Sequence, residues 1–153
     1  MVKINITVDA SAYKNISEKL PEIKRKGLSL TGQEMLRNLG LNSPVDHGLL
    51  RQWYFANTTP EEIEIRTPAK YAALVNDGTG IYNGGKIIKP KTDKALRFLP
   101  GKNWTGPVSK DGYVYLKHSK GQKGQHFVEK SIKQTSTKLE DIFIKVVNEV
   151  MDE

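Results

Sequence analysis

The strongest constraint on the fold lies in the C-terminal segment, where apolar side chains recur at intervals of three and four. From about Gly124 almost to the last residue this spacing places them on one face of a helix, and charged side chains occupy the other face. The sequence therefore predicts one long amphipathic helix whose apolar stripe faces the core. Use of part of the stripe between subunits is the alternative. The stripe comprises Phe127, Val128, Ile132, Thr135, Leu139, Ile142, Phe143, Val146 and Val150.

The N-terminal segment predicts a strand followed by helix. Residues 2–8 alternate between apolar and polar side chains, which is typical of a half-buried strand. Residues 11–40 have helical spacing, with Pro21 inside the pattern and Gly40 at its end. Because proline lacks an amide donor and its ring clashes with the preceding turn, this segment is predicted to be one kinked helix or two short ones.

Short β segments occupy the middle of the chain. Residues 49–56 and 61–67 flank the turn signal Asn57-Thr58-Thr59-Pro60, which predicts a hairpin, and residues 95–99 and 113–118 predict two further strands. The expected fold is α+β, with an antiparallel sheet of about four to five strands packed against a long N-terminal and a long C-terminal helix. A length of 153 residues is typical of one domain, here 1–153. We expect mobile, basic, glycine-rich loops near 78–93 and 100–112.

The positive charge is concentrated in one part of the chain. The net charge is +7, and residues 84–130 contain 11 Lys and Arg against 3 Asp and Glu, which gives +8. Such a block is typical of a surface for a phosphate backbone, although solvated loops explain it equally well. Binding to nucleic acid without sequence specificity is therefore the alternative function. The candidate DNA-facing or partner-facing residues are Lys86, Lys89, Lys91, Lys120 and Lys123.

Signatures of catalysis are weak. The chain has no cysteine, which excludes a disulfide, a thiolate zinc site and a cysteine nucleophile. His47, His118 and His126 have neither metal-ligand nor triad spacing, and Gly84-Gly85-Lys86 lacks the hydroxyl residue of a phosphate-binding loop. We therefore expect no enzymatic activity, metal or cofactor. The sequence also predicts no signal peptide and no membrane span.

Two turn motifs identify a family resemblance. In the first, Pro44 ends a helix, Asp46 can bond nearby backbone amides and Gly48 lets the chain reverse before a strand. This order resembles that of neck and tail-completion proteins of tailed phages and prophages, which include minor tail components. In that family a long helix is followed by the motif Pro-Val-Asp-Thr-Gly-x-Leu-Arg and then by a strand. His47 stands where that family usually has Thr. The matching residues are Pro44, Val45, Asp46, Gly48, Leu49 and Arg51, and further along Tyr71, Ala72, Gly78 and Thr79.

The resemblance extends over roughly residues 11–150 and implies a structural virion protein. Such proteins act in head–tail joining or tail completion through ring-like self-association and contacts with other neck, portal or tail proteins. The isolated protein is a monomer in the alternative case, in which the ring forms only on its portal or tail partners. The resemblance implies a location in the virion neck or tail, with the host cytoplasm as the site of assembly, and the short apolar runs of the chain predict no membrane partner. Passing DNA could meet a basic ring surface. The family contributes no catalytic residues, and its usual proline beside the aromatic residue of the last helix is absent around Phe127.

Overall fold

The computed structural model of the protein describes residues 11–45, 48–92, 94–101 and 104–152. Helix accounts for 48% and strand for 14%, so the predicted mixture of helix and strand is confirmed. The chain forms two compact units. The first, here called the helical unit, comprises the described residues of Met1–Ala69 and Phe127–Glu153, and the second, the basic unit, is Lys70–His126. The prediction of a single domain stays a prediction.

Three helices build the helical unit. The first, α1, spans Ser11–Asn42, and the later helices α3 (Phe127–Ser136) and α4 (Leu139–Asp152) pack against it. The segment with Pro21 is therefore one helix and not two short ones. Proline removes only one amide donor, and the apolar face of α1 continues past it through Ile23, which packs against α4.

The core of the helical unit is small. Ile23 of α1 packs with Val146 and Val150 of α4, and all three are at least 95% buried. Nearer the other end of α1, the ring of Phe127 meets Trp53 edge to face, with 6.3 Å between ring centroids. Burial of these apolar side chains is the main force that holds α1 to the two C-terminal helices.

Polar side chains also join α1 to α3. Asn38 is buried and its amide donates to Thr135 Oγ1 over 3.0 Å, while the amide of Asn42 donates to Ser131 Oγ over 3.0 Å. These contacts lie one helical turn apart on both helices. Because each buried group has its partner, the pairing fixes the register between α1 and α3 at little cost in desolvation.

The C-terminal helix differs from the prediction of one long helix. It begins at Phe127, and a turn at residues 137–138 separates α3 from α4. Thr135 Oγ1 donates to the carbonyl of Ser131, Thr137 Oγ1 donates to that of Gln134, and the amide of Lys138 bonds the carbonyl of Thr135 only three residues back. Hydroxyl side chains that bond to nearby carbonyls favour tighter turns, which explains the interruption.

The predicted hairpin is confirmed, with shifted limits. Strands β1 (Tyr54–Thr58) and β2 (Ile63–Arg66) are antiparallel, and Thr59 Oγ1 accepts the amide of Glu62 over 2.9 Å in the turn. The first residues of the predicted strand instead form a 3-10 turn, Leu49–Arg51. Gly48 precedes this turn with a φ of 79°, so the chain is still reversing there.

The basic unit contains a short helix and a second hairpin. Helix α2 spans Ala72–Asp77, a 3-10 turn covers Gly80–Asn83, and strands β3 (Leu96–Phe98) and β4 (Val114–Leu116) are antiparallel.

The predicted sheet of four to five strands is wrong, because the part of the chain that the structure describes forms two sheets of two strands each. Each strand pairs with its neighbour along the chain, which closes the smaller loop and costs less conformational entropy than distant pairing. The predicted strand at residues 2–8 lies outside the described residues.

Candidate interaction surfaces

The first turn motif shapes the exit of α1. Ser43 is buried, its hydroxyl accepts the indole N–H of Trp53 over 3.0 Å, and its carbonyl accepts Arg51 Nε over 3.4 Å. Pro44 and Val45 follow, while Asp46 lies outside the described residues and so does His47. Leu49 and Arg51 are exposed, and Leu50 between them is buried. The motif therefore holds the chain where it turns back after α1. Leu49 and Arg51 remain exposed on either side of the buried Leu50.

The second turn motif shapes the basic unit. Tyr71 precedes the first residue of α2, Ala72, and Gly78 follows its last residue with φ 85° and ψ −175°. Thr79 pairs with Gln122, because its amide donates to the Gln122 carbonyl over 2.8 Å and its hydroxyl accepts the Gln122 amide over 2.9 Å. The first part of the predicted 78–93 loop is thus hydrogen-bonded to a second segment, and its mobility stays a prediction.

Glycines allow this close pairing. A Cβ atom on Gly78 would lie 2.6 Å from the carbonyl oxygen of Gln122, and one on Gly124 would lie 2.5 Å from that of Asn76. Both distances are below any that real side chains adopt, so the two backbones approach closely only because these positions are glycine.

The five candidate basic residues all lie in the basic unit and all are exposed. Main-chain pairing brings their two segments together, since Ile88 and Ser119 exchange hydrogen bonds of 2.8 and 2.9 Å. Lys86 and Lys89 flank Ile88, and Lys120 follows Ser119. Lys123 belongs to the same paired segment through its bridge to Gly78, and its Nζ lies 5.9 Å from the ring centroid of Tyr82, whereas Lys91 lies beyond Pro90.

The charge of the protein follows the boundary between the units. Lys70–His126 contains 11 Lys and Arg and 3 Asp and Glu, which gives +8 and leaves −1 for the rest of the chain. The carboxylates of this unit that the structure describes are Asp77 and Asp111. Asp77 accepts the Asn76 amide over 2.7 Å, and Asp111 accepts the Tyr115 hydroxyl over 2.6 Å, a bond that also lowers the pKa of Asp111. Both carboxylates are therefore engaged with uncharged groups.

Helix α4 is apolar over two adjacent faces. Val146 and Val150 are buried against α1, whereas Ile144, Val147 and Met151 are exposed by 53%, 37% and 37%. The exposed residues recur at intervals of three and four, so they form a second stripe beside the buried one. We call it the α4 stripe. The sequence prediction did not include this stripe, although positions 144, 147 and 151 follow the same helical spacing as the buried residues.

An apolar groove lies elsewhere in the helical unit. It has a volume of about 230 Å³ and lies among α1, β2, α3 and the first residue of α4. Gly32 forms part of its floor, where a Cβ atom would lie 3.0 Å from Phe55 and Ile63. The sequence did not predict this groove because four separate elements contribute to it. Its apolar lining comprises Leu28, Met35, Ile63, Ile65, Ile132 and Leu139.

Glu34 is the centre of a charged cluster beside the groove. One of its oxygens lies 2.7 Å from Arg37 Nη2 and 3.0 Å from Lys138 Nζ, which ties α1 to the turn between α3 and α4. The hydrogen bond from Arg37, together with the Lys138 ammonium, lowers the pKa of Glu34 from 4.5 to about 2. The carboxylate is mostly buried, with 16% of its side chain exposed.

Glu34 is expected to make the stability of the helical unit pH-dependent in acid. Its pKa is depressed in the folded state, so its contribution is complete above the unfolded pKa of 4.5 and is lost as the pH falls towards about 2. Glu34→Gln should lower the free energy of unfolding by about 1 kcal/mol at pH 7, because both partners are half-exposed and screened by solvent. Urea unfolding at several pH values measures this. A difference between variant and wild type that stays constant from pH 7 to pH 2 would contradict the assignment.

The described residues contain no cluster of side chains suited to a metal ion. Within residues 11–45, 48–92, 94–101 and 104–152, no three His, Asp or Glu side chains are placed to hold one metal ion. His118 and His126 are exposed loop residues of the basic unit. Among the helices that the structure describes, none combines the length and the apolar character that crossing a bilayer requires. No family model, curated protein or solved structure matches the chain.

Proposed function

We propose that the protein is a structural virion component of a tailed phage or prophage that acts in head–tail joining or tail completion. It works by self-association into a ring and by contacts with neighbouring neck, portal or tail proteins. The observation that carries the proposal is the α4 stripe, an apolar helix face that the helical unit leaves exposed beside its own core. The order of the two turn motifs supports the class of protein.

The α4 stripe has the character of a subunit interface. Apolar residues scattered singly on a surface need no explanation, but three on one face of one helix form a continuous patch. Lys145 and Glu149 lie on α4 between these residues in sequence and keep other parts of the helix polar. Burying the stripe against a second copy would stabilise the assembly by removing its apolar area from water.

The groove supplies the complementary surface. A ring needs a contact between two different patches, so that one subunit presents the first patch and its neighbour presents the second. The helical unit has two such patches, the exposed α4 stripe and the apolar groove. We assign the α4 stripe of one copy to the groove of the next copy. The same contact repeats around an axis, and a closed ring results when the rotations add up to a full turn.

Deletion of the gene tests the proposed role in the phage or prophage that encodes the protein. We expect electron micrographs to show filled heads without joined tails, or tails that are incomplete at one end. Wild-type protein supplied from a plasmid should restore joined, infectious particles. Normal infectious particles from the deletion strain would refute the proposal.

A single substitution in the stripe tests its part in assembly. Val147→Glu places a charge in the middle of the α4 stripe and should fail to restore joined particles, with infectivity lowered by a hundredfold or more. Lys145→Glu is the matched control, because it adds negative charge to an exposed position of the same helix outside the stripe. Circular dichroism must show both variants folded. Equal infectivity with the two variants would remove the stripe from the interface.

A further inference from the structure

We propose that the basic unit carries a binding surface for the phosphodiester backbone of duplex DNA, formed by Lys86, Lys89, Lys120 and Lys123. This inference does not depend on the assembly role proposed above. It rests on the charge of one structural unit and on the backbone pairing that groups these four lysines.

The basic unit has a large excess of positive charge. A unit with a net charge of +8, whose two described carboxylates are bonded to uncharged groups, produces a strongly positive surface potential. Duplex DNA carries one negative charge per about 1.7 Å of its axis, so each lysine that neutralises a phosphate also releases a condensed counterion. This release favours binding of a duplex with the charge density of DNA.

Main-chain hydrogen bonds hold the two segments that carry the lysines. Ile88 and Ser119 exchange two main-chain hydrogen bonds, and the amide of Ile81 donates to the carbonyl of Lys120 over 3.0 Å. The Thr79–Gln122 pair continues this connection towards Lys123. The four lysines are therefore presented from two backbone segments held side by side, and their placement loses less conformational entropy on binding than a flexible loop would.

The aromatic side chains of the basic unit favour a duplex over a single strand as the ligand. Single-stranded nucleic acid binds by stacking its bases on free aromatic faces. Here Lys123 lies over the ring of Tyr82, Trp104 packs edge to face on Phe98 at 5.5 Å between centroids, and the Tyr115 hydroxyl is bonded to Asp111. Three of the four exposed aromatic side chains that the structure describes in the basic unit are engaged in these contacts, Tyr71 being the fourth, so contact with phosphates is favoured over stacking.

The short helix of the basic unit is not suited to reading a DNA sequence. Reading base edges requires an element that enters a groove, usually a helix of several turns. The helix of the basic unit, α2, has only six residues. Lysine contacts to phosphate position a protein on DNA without reading its sequence. The surface is therefore expected to bind duplexes of any sequence equally.

The experiment is fluorescence anisotropy with the full chain and a labelled 24-base-pair duplex of mixed sequence, titrated at several salt concentrations. The logarithm of the affinity should fall linearly with the logarithm of salt concentration. Changing Lys86, Lys89, Lys120 and Lys123 together to Gln should weaken binding at least thirtyfold in 0.1 M salt and flatten the salt slope by about 3 to 4, since each lost phosphate contact removes about 0.9.

The matched control removes four positive charges from the helical unit. It combines Arg25→Gln with Lys130→Gln, Lys133→Gln and Lys145→Gln, so both variants have the same net charge. The control should retain affinity within about threefold, and a second duplex of different sequence should bind equally.

Several results would overturn the inference. They are the absence of binding in 0.05 M salt, equal weakening by both variants, tighter binding of a single strand of the same length, and complete displacement of DNA by an equal charge of polyglutamate. The last result would indicate an acidic protein surface as the partner. None of these results depends on joined particles, so the DNA surface and the assembly role can fail separately.

Discussion

Replacing Phe127 by alanine is expected to lower the free energy of unfolding of the helical unit by about 4 kcal/mol, the range seen when a buried phenylalanine is truncated. The side chain is 2% exposed and contacts Trp53 edge to face, so its removal leaves a cavity and also loses an aromatic contact. Because whole domains are stable by only about 5 to 15 kcal/mol, the variant should be close to unfolding at 37 °C. Urea unfolding followed by far-UV circular dichroism measures the change.

Phe143 provides the matched control for this prediction. It is also a phenylalanine of the C-terminal helices that contacts α1, at Gly27, but it is 38% exposed. Phe143→Ala should cost about 1.5 kcal/mol, because water can fill part of the space and less apolar area leaves the core. Equal losses for the two variants would mean that Phe127 does not occupy the tightly packed position that the structure assigns to it.

Local patterns predicted the N-terminal helix and the first hairpin correctly. Residues 11–40 have a helical spacing, and the turn signal from Asn57 to Pro60 lies between two β segments, so neither element depends on distant parts of the chain. The break at residues 137–138 was missed because the apolar stripe continues across it. Hydrogen bonds from Thr135 and Thr137 to nearby carbonyls decide the break, and spacing alone does not detect them.

Pairing between distant segments could not be predicted. Thr79 and Gln122 are 43 positions apart, and both lie in glycine-rich segments without periodicity. Such segments carry no signal for a partner, whereas the alternation in a regular strand at least identifies a buried face. The sequence therefore identified the lysines of the basic unit as loop residues but not the backbone pairing that groups them. The same lack of signal led to the prediction of one larger sheet.

The glycine at position 78 is expected to be as sensitive as the aromatic core. Its backbone, with φ 85° and ψ −175°, lies in a region that only glycine adopts readily. A methyl group there would also lie 2.6 Å from both the Gln122 carbonyl oxygen and the Gly124 amide nitrogen. Gly78→Ala should therefore destabilise the basic unit by about 3 kcal/mol or more, since the neighbouring atoms are backbone and the strain of the conformation adds to the clash.

Hydrogen–deuterium exchange of the amides of Thr79, Ile81 and Gln122 reports this loss directly, because all three are bonded in the pairing that Gly78 permits. Gly84→Ala is the control: Gly84 also has a positive φ, 64°, but no atom lies within 4 Å of a Cβ placed there. It should cost about 1 kcal/mol and leave those amides protected.

Because the same pairing holds Lys120 and Lys123 in place, Gly78→Ala should weaken DNA binding while Gly84→Ala should not. Unchanged exchange in Gly78→Ala would show that the two segments are not paired in solution.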